Sequence, residues 1–263
     1  MEFAETGLAL GGGAARGWAH IGVIRALQEK NIRITHIAGT SIGAFVGAFA
    51  ATDRLDDLER EILSFDWKQG VGYFASVPSR TGMLNGRRIS EFLAQHLGPV
   101  NLEETIIPLR TVATDLRNGD EVVLSSGDLV KAVRASIAVP GIFTPVSHTG
   151  RLLVDGGLIN PVPVNIVRQM GARHVVAVDL NRVSSDPDTP ILKSEDPNVL
   201  EIIGASANII EAGLTRSRLA VHPPDVLVRP RLEHVSFLEF NRGEEALRIG
   251  YEAAMQALEN RGI

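Results

Sequence analysis

One short stretch of this 263-residue chain carries the residue types that most directly suggest chemistry: Gly39-Thr40-Ser41-Ile42-Gly43, a serine between two near glycines. An apolar, strand-like run precedes it at 34–38 and a helix-like run follows at 42–51. That order fits a nucleophile elbow, a sharp strand-to-helix turn that lifts a serine hydroxyl to where a substrate can meet it. The flanking glycines suit a turn in which backbone packs on backbone and a Cβ would clash. A serine there also stands at a helix N-terminus, whose partial positive charge favours a developing anion. The chemistry so indicated is nucleophilic attack on an acyl carbonyl.

A second glycine-rich stretch, Gly11-Gly12-Gly13-Ala14-Ala15-Arg16-Gly17, lies one strand earlier, between the apolar run 7–10 and a helical pattern over 18–30. Three chemistries compete for it. A dinucleotide fingerprint is disfavoured because Arg16 takes the place of the third small residue and no acidic residue ends the next strand. A phosphate-cradling P-loop is disfavoured because no Gly-Lys-Ser/Thr closes the loop. The third is an oxyanion hole, in which one backbone donor is worth about 100- to 1000-fold in rate. That reading requires a nucleophile nearby, and Ser41 ends the very next strand. Successive parallel strands usually neighbour each other and open on one carboxyl edge.

The serine needs a group to take its proton. Of the seven histidines, His222 and His234 follow Ser41 late enough for the Ser-acid-His order, with Asp179 as their partner, and neither sits in a supporting motif. The other choice is Asp155, delivered by a tight hairpin around Thr149-Gly150 and followed by Gly156-Gly157, which leave its carboxylate uncrowded. The plainer role of that aspartate is an Asx turn. With an ordinary pKa near 3.9 it is a weak base. It serves if the oxyanion is well stabilised. Both choices stay open on the residues alone.

The elements that must position these groups read as alternating strands and helices of one large α/β domain over 1–263. Strands are expected at 109–115 and 121–124, joined by an Asn118-Gly119 turn, and at 174–180 and 226–228. Helices are expected at 53–64, 86–97, from Asp128 to Ser136, at 199–218, and from about Asn241 onward. The aromatic segment 65–85 reads as a core-covering loop or as a flap and acyl-binding wall over the serine. The polar stretch 181–198 reads as an exposed loop, a second place for a lid. Hydrophobic residues make up 44% of the chain and charged residues 22%, ample for a packed core. A net charge of −5 argues against a nucleic-acid partner. The absence of cysteine excludes disulfides and thiolate metal sites. The acidic start of the chain has no secretory pattern, and the longest apolar run, 42–51, falls short of the roughly 20 residues that span a bilayer. A cytoplasmic chain is expected, able to touch the inner face of a membrane peripherally.

The three motifs, in order and together with Ala135-Ser136-Ile137-Ala138-Val139-Pro140-Gly141-Ile142-Phe143, resemble the patatin-like phospholipase family. The closest likeness is to its small bacterial members, similar to the catalytic domain of neuropathy target esterase. The resemblance covers 8–164, and 174–260 is expected to complete the fold. It implies a three-layer α/β sandwich with a mainly parallel central sheet, and hydrolysis of lipid acyl esters by a Ser-Asp dyad without histidine, metal or cofactor. Carried over by motif, Ser41 is the nucleophile and Asp155 the base. Gly11, Gly12, Gly13 and Ala14 are the oxyanion donors. Arg16, Gly17, Gly39, Gly43, Gly156 and Gly157 are supporting residues, with Arg16 structural or charge-stabilising. Ala14 departs from the fourth glycine of many members and blurs which N–H groups donate. Against this enzyme reading stand a regulatory or scaffolding protein on the same fold and a Ser-His-Asp esterase.

Overall fold

The computed structural model describes residues 5–64, 84–181, 191–192 and 195–263. In chain order the elements begin with β1 (Glu5–Leu10), α1 (Ala19–Glu29), β2 (Arg33–Thr40), α2 (Ile42–Ala51) and α3 (Leu55–Ser64). Next come α4 (Arg87–Leu97), β3 (Leu109–Asp115), β4 (Glu121–Leu124), α5 (Leu129–Ser136), β5 (Val146–His148) and β6 (Arg151–Asp155). The chain closes with α6 (Val164–Gln169), β7 (His174–Val178), α7 (Val199–Val221), β8 (Val226–Val228) and α8 (Gly243–Glu259).

Among the described residues eight strands join one sheet, paired in the order β5-β6-β3-β2-β1-β7-β8, with β4 also paired to β3. The run from β3 to β8 is parallel, and β4, β5 and β6 form antiparallel pairs at the other side. Leu8, Ala9 and Leu10 of β1 and Val175, Val176, Ala177 and Val178 of β7 are continuous apolar runs because a parallel sheet is covered on both faces. Alternate side chains of β1 go to opposite layers. Leu8 and Leu10 join the larger core with Ile21, Leu27 and Phe49, whereas Ala9 joins a second core with Val164, Val167 and Val175. Helices α1, α2 and α8 thus lie on one side of the sheet and α6 on the other, the three layers expected.

Register sets up the site. Thr40 at the end of β2 pairs with Val112, so Ser41 comes level with Ala113 of β3. Beyond the end of β2, along the same edge of β3, antiparallel β6 pairs Asp155 with that same Ala113, while β4 holds the opposite edge. The chain ends of β2 and β6 therefore meet end to end along one edge of β3, arriving from opposite directions.

Local expectations met tertiary detail at a few points. The helix expected over 18–30 begins as a 3-10 turn, Ala14–Trp18, before α1. The Thr149-Gly150 turn forms with both residues at positive φ, as a tight hairpin requires. Asp128 caps α5 by accepting from Lys131 N–H at 2.7 Å. Of the aromatic segment 65–85, residues 65–83 lie outside the described residues, as do 182–190 and 193–194 of the polar loop. The readings of both as lids belong to those parts. Among the described residues, no helix is long and apolar enough to cross a membrane.

Candidate active site

Ser41 begins α2 in a conformation that side chains rarely adopt, φ 56° and ψ −125°. Such strain persists only where the surroundings impose it. Here a Cβ at Gly39 would stand 2.5 Å from the Gly43 carbonyl oxygen, and one at Gly43 would overlap the backbone of Leu10. The two glycines let α2 turn back directly onto its own strand and onto the end of β1. Three hydrogen bonds hold the turn from outside. Ser41 N–H donates to Ser136 Oγ at 2.9 Å, Ser136 passes its own proton to the Val112 carbonyl at 2.6 Å, and Thr40 Oγ1 donates to the Asn160 carbonyl at 2.7 Å.

The elbow aims Ser41 Oγ at Asp155 Oδ2, to which it donates at 2.5 Å. The other carboxylate oxygen accepts from Gly157 N–H at 2.7 Å, the first dividend of the diglycine. Asp155 is buried, and burial lifts its pKa to about 6 while the bonds from Ser41 and Gly157 pull it down. The histidine alternative is not assembled. His222 is exposed at the end of α7, His234 bonds Glu245 at 2.9 Å, and Asp179 pairs with Arg229.

The glycine loop reaches the serine, but its N–H groups are not equivalent. Gly11 N–H donates to the Val178 carbonyl at 3.1 Å and Gly12 N–H to the Pro161 carbonyl at 3.0 Å. Those bonds splice the loop into the sheet edge. The Gly13 and Ala14 N–H groups have no acceptor among the described residues, so the four expected donors narrow to these two. Arg16 is buried and donates to the carbonyls of Gly13 and Leu180 and to Asn208 Oδ1. It holds the loop against β7 and α7, and does not point at the dyad. His20 adds a bond from its ring to the Gly11 carbonyl at 2.8 Å; burial depresses its pKa to about 4, so it stays neutral.

Beside the serine opens a cavity of about 470 Å³ whose wall is almost wholly apolar. Trp18, Phe45, Phe92, Phe143, Phe237 and Phe240 are its aromatic side chains; Ser41 and Glu61 are the polar ones apart from the Trp18 indole, which donates to the Phe240 carbonyl at 3.2 Å. Arg134 fixes one side, donating to the carbonyls of Asn85 and Thr144 and lying 5.3 Å over the Phe143 ring. Such a space suits a hydrocarbon chain attached to an ester held at Ser41. Ser136, Arg134, Asn181 and Glu211 of α7 all support the site, and reading the sequence assigned none of them a role. Glu211 accepts from Asn181 Nδ2 and faces Asp155. Among the described residues no cluster of groups suited to a metal ion is found.

Residues 8–168 match the family model for patatin-like phospholipases. A protein of the NTE family from Mycobacterium tuberculosis is 40% identical over 192 residues, which cover 73% of this chain and 52% of that protein. Neuropathy target esterase of Drosophila melanogaster is 32% identical over 196 residues, covering 72% of this chain and 14% of that protein. The chain thus spans about half the length of the mycobacterial relative and far less of the insect one. Among solved structures, VipD from Legionella pneumophila shares the fold with a TM-score of 0.55 at 16% identity, covering 97% of this chain and 67% of VipD.

Proposed function

Because this chain belongs to the patatin-like phospholipase family, we propose that it is a serine hydrolase of lipid acyl esters, of the phospholipase A or lysophospholipase kind, working through a Ser41–Asp155 dyad. The observation that carries the reading is the 2.5 Å bond from Ser41 Oγ to Asp155 Oδ2 on the wall of an apolar cavity.

The acyl chain lies in the cavity and its carbonyl meets Ser41. Asp155 takes the Oγ proton as the oxygen attacks, and the N–H groups of Gly13 and Ala14 receive the oxyanion. The protonated Asp155 then gives its proton to the departing alcohol oxygen, leaving Ser41 acylated. A water then gives a proton to Asp155 as its oxygen attacks the acyl carbonyl, and the fatty acid leaves as Ser41 Oγ takes that proton back from Asp155. No metal or cofactor takes part in this scheme. Substrate arrives from a lipid surface. The outer side of α7 exposes Val199, Ile202, Ile209 and Ile210, and its neighbours Leu200 and Leu238 are both half-exposed and part of the cavity wall. An apolar track therefore runs from the surface to the serine.

Hydrolysis of p-nitrophenyl acyl esters and labelling by a fluorophosphonate probe test the reading. Ser41→Ala is expected to lose both, with turnover down at least about 1,000-fold. Asp155→Asn is expected to lose about 100-fold or more, the usual contribution of a general base. A wild-type serine that neither turns over esters nor takes the probe would instead indicate a scaffolding protein on this fold.

A further inference from the structure

The acyl-transfer scheme leaves the carboxyl group of Glu211 without a task. Glu211 projects inward from α7; the residue is half-buried while its carboxyl end is enclosed. Its Oε1 occupies the space where a side chain at 157 would begin, and Asp155 Oδ1 is 3.1 Å from that same point. Its Oε2 accepts from Asn181 Nδ2, whose amide also donates to the Gly12 carbonyl at 3.2 Å. The same Oε2 is 3.2 Å from where a Gly12 Cβ would stand, with the Ser41 Cβ 3.6 Å from that point. One carboxyl group thus fills the room left by a glycine in each motif and flanks both members of the dyad.

A second carboxylate beside Asp155 would oppose both the charge on the base and the oxyanion forming at Ser41, because like charges in an enclosed site interact strongly. We propose that Glu211 is a positioning residue of the dyad: as the neutral acid it joins the oxyanion loop to the Asp155 turn without adding charge, and its ionisation in alkaline solution disables the site. This rests on the acyl-hydrolase reading above. Burial and the neighbouring Asp155 hold the Glu211 proton on up to about pH 8, against Arg16 and Asn181, which favour the charged form. The groups facing it are Asp155 from the turn after β6, Arg16 from the turn after β1, and Asp179 after β7. Asp179 is itself paired with Arg229, and Glu233 acts on Arg16. Arg16 is thus the cation that opposes the acidic cluster, and it also serves Asn208 and two backbone carbonyls.

The test is kcat/KM for a soluble p-nitrophenyl ester from pH 5 to 10 in the wild type, Glu211→Gln and Asn181→Leu. In the wild type kcat/KM is expected to fall about tenfold per pH unit above roughly 8. Glu211→Gln should lose that alkaline fall and keep the acid limb of Asp155. Asn181→Leu removes a donor that favours the ionised carboxylate, so its fall should move to higher pH. A wild-type alkaline fall that survives in Glu211→Gln overturns the proposal, as does a wild type with no fall. Should Glu211→Gln not fold, an Asn181→Leu profile identical to wild type overturns it equally. Probe labelling of Ser41 at pH 7 separates the two readings. A labelled enzyme with an unmoved alkaline limb refutes only the role of Glu211, whereas an unlabelled, inactive one refutes the hydrolase.

Discussion

A carboxylate that must take a proton from a serine works best when its own proton affinity approaches the working pH. Enclosure supplies that match for Asp155, whose pKa rises from 3.8 to about 6 despite hydrogen bonds from Ser41 and Gly157. In the proposed reaction the ionised form is the base, so kcat/KM should climb with pH and level off above about 6, up to the alkaline fall near 8 assigned to Glu211. The same shift acts in the other direction on stability. Folded Asp155 holds its proton to higher pH than the unfolded chain does. Its contribution is therefore fully favourable below about 3.8 and is lost as the pH rises through about 6. Asp155→Asn is accordingly expected to cost most of the turnover and yet raise Tm by a few degrees at pH 8, with the gain vanishing below pH 4. Calorimetry at the two pH values checks this; an unchanged Tm at pH 8 would mean that the folded protein bears no cost for that charge. A functional group placed against the interests of the fold is the usual signature of a site kept for chemistry.

At the scale of elements, the elbow depends on how closely α2 can lie on the sheet. Gly43→Ala would drive a methyl group into the backbone of Leu10, where no flexible side chain can move aside. The expected loss is about 3 kcal/mol or more, or failure to fold, read by urea denaturation of the variant. Gly47→Ala, one turn further along α2 with only side chains nearby, is the control expected to be far milder. The elements that hold Ser41, Asp155 and the glycine loop, the groups of the proposed site, were legible because each is a local pattern: strand, glycine turn, helix. The supporting residues were not, because their roles are made by register and packing. Ser136 matters because α5 sets it under the Ser41 amide, and Gly11 and Gly12 are spent as donors because β7 and the turn at Pro161 lie alongside. Glu211 was concealed for a more general reason. With Asn208 and Thr215 it makes a polar stripe on α7, and a polar stripe on a helix ordinarily means solvent. Here Asn208 and Thr215 are buried and Glu211 is enclosed.

That inversion has a consequence for the whole molecule. If the polar side of α7 turns inward to the dyad, its other side must face outward, and it carries Val199, Ile202, Ile209 and Ile210 with Ser206 and Gly213 among them, Arg216 following at the end of the patch. Exposed apolar patches of this kind are uncommon on proteins without a binding role. A lipid surface is the occupant that also explains why the patch continues through Leu200 and Leu238 into the cavity holding Ser41. Partition into the interface would then rest mainly on buried apolar area, with modest help from anionic lipid, since among the described residues Arg216 is the cation on this face of α7. Ile209→Asp and Ile210→Asp together should lower turnover of a lipid in zwitterionic vesicles about tenfold or more relative to turnover of a soluble ester. Vesicle flotation should show the same loss, and raising the anionic lipid fraction should not restore wild-type binding. If the double variant instead turns a dimer into a monomer in light scattering and leaves vesicle turnover intact, a second copy of the chain covers this face. The substrate would then have to reach Ser41 by another side of the cavity.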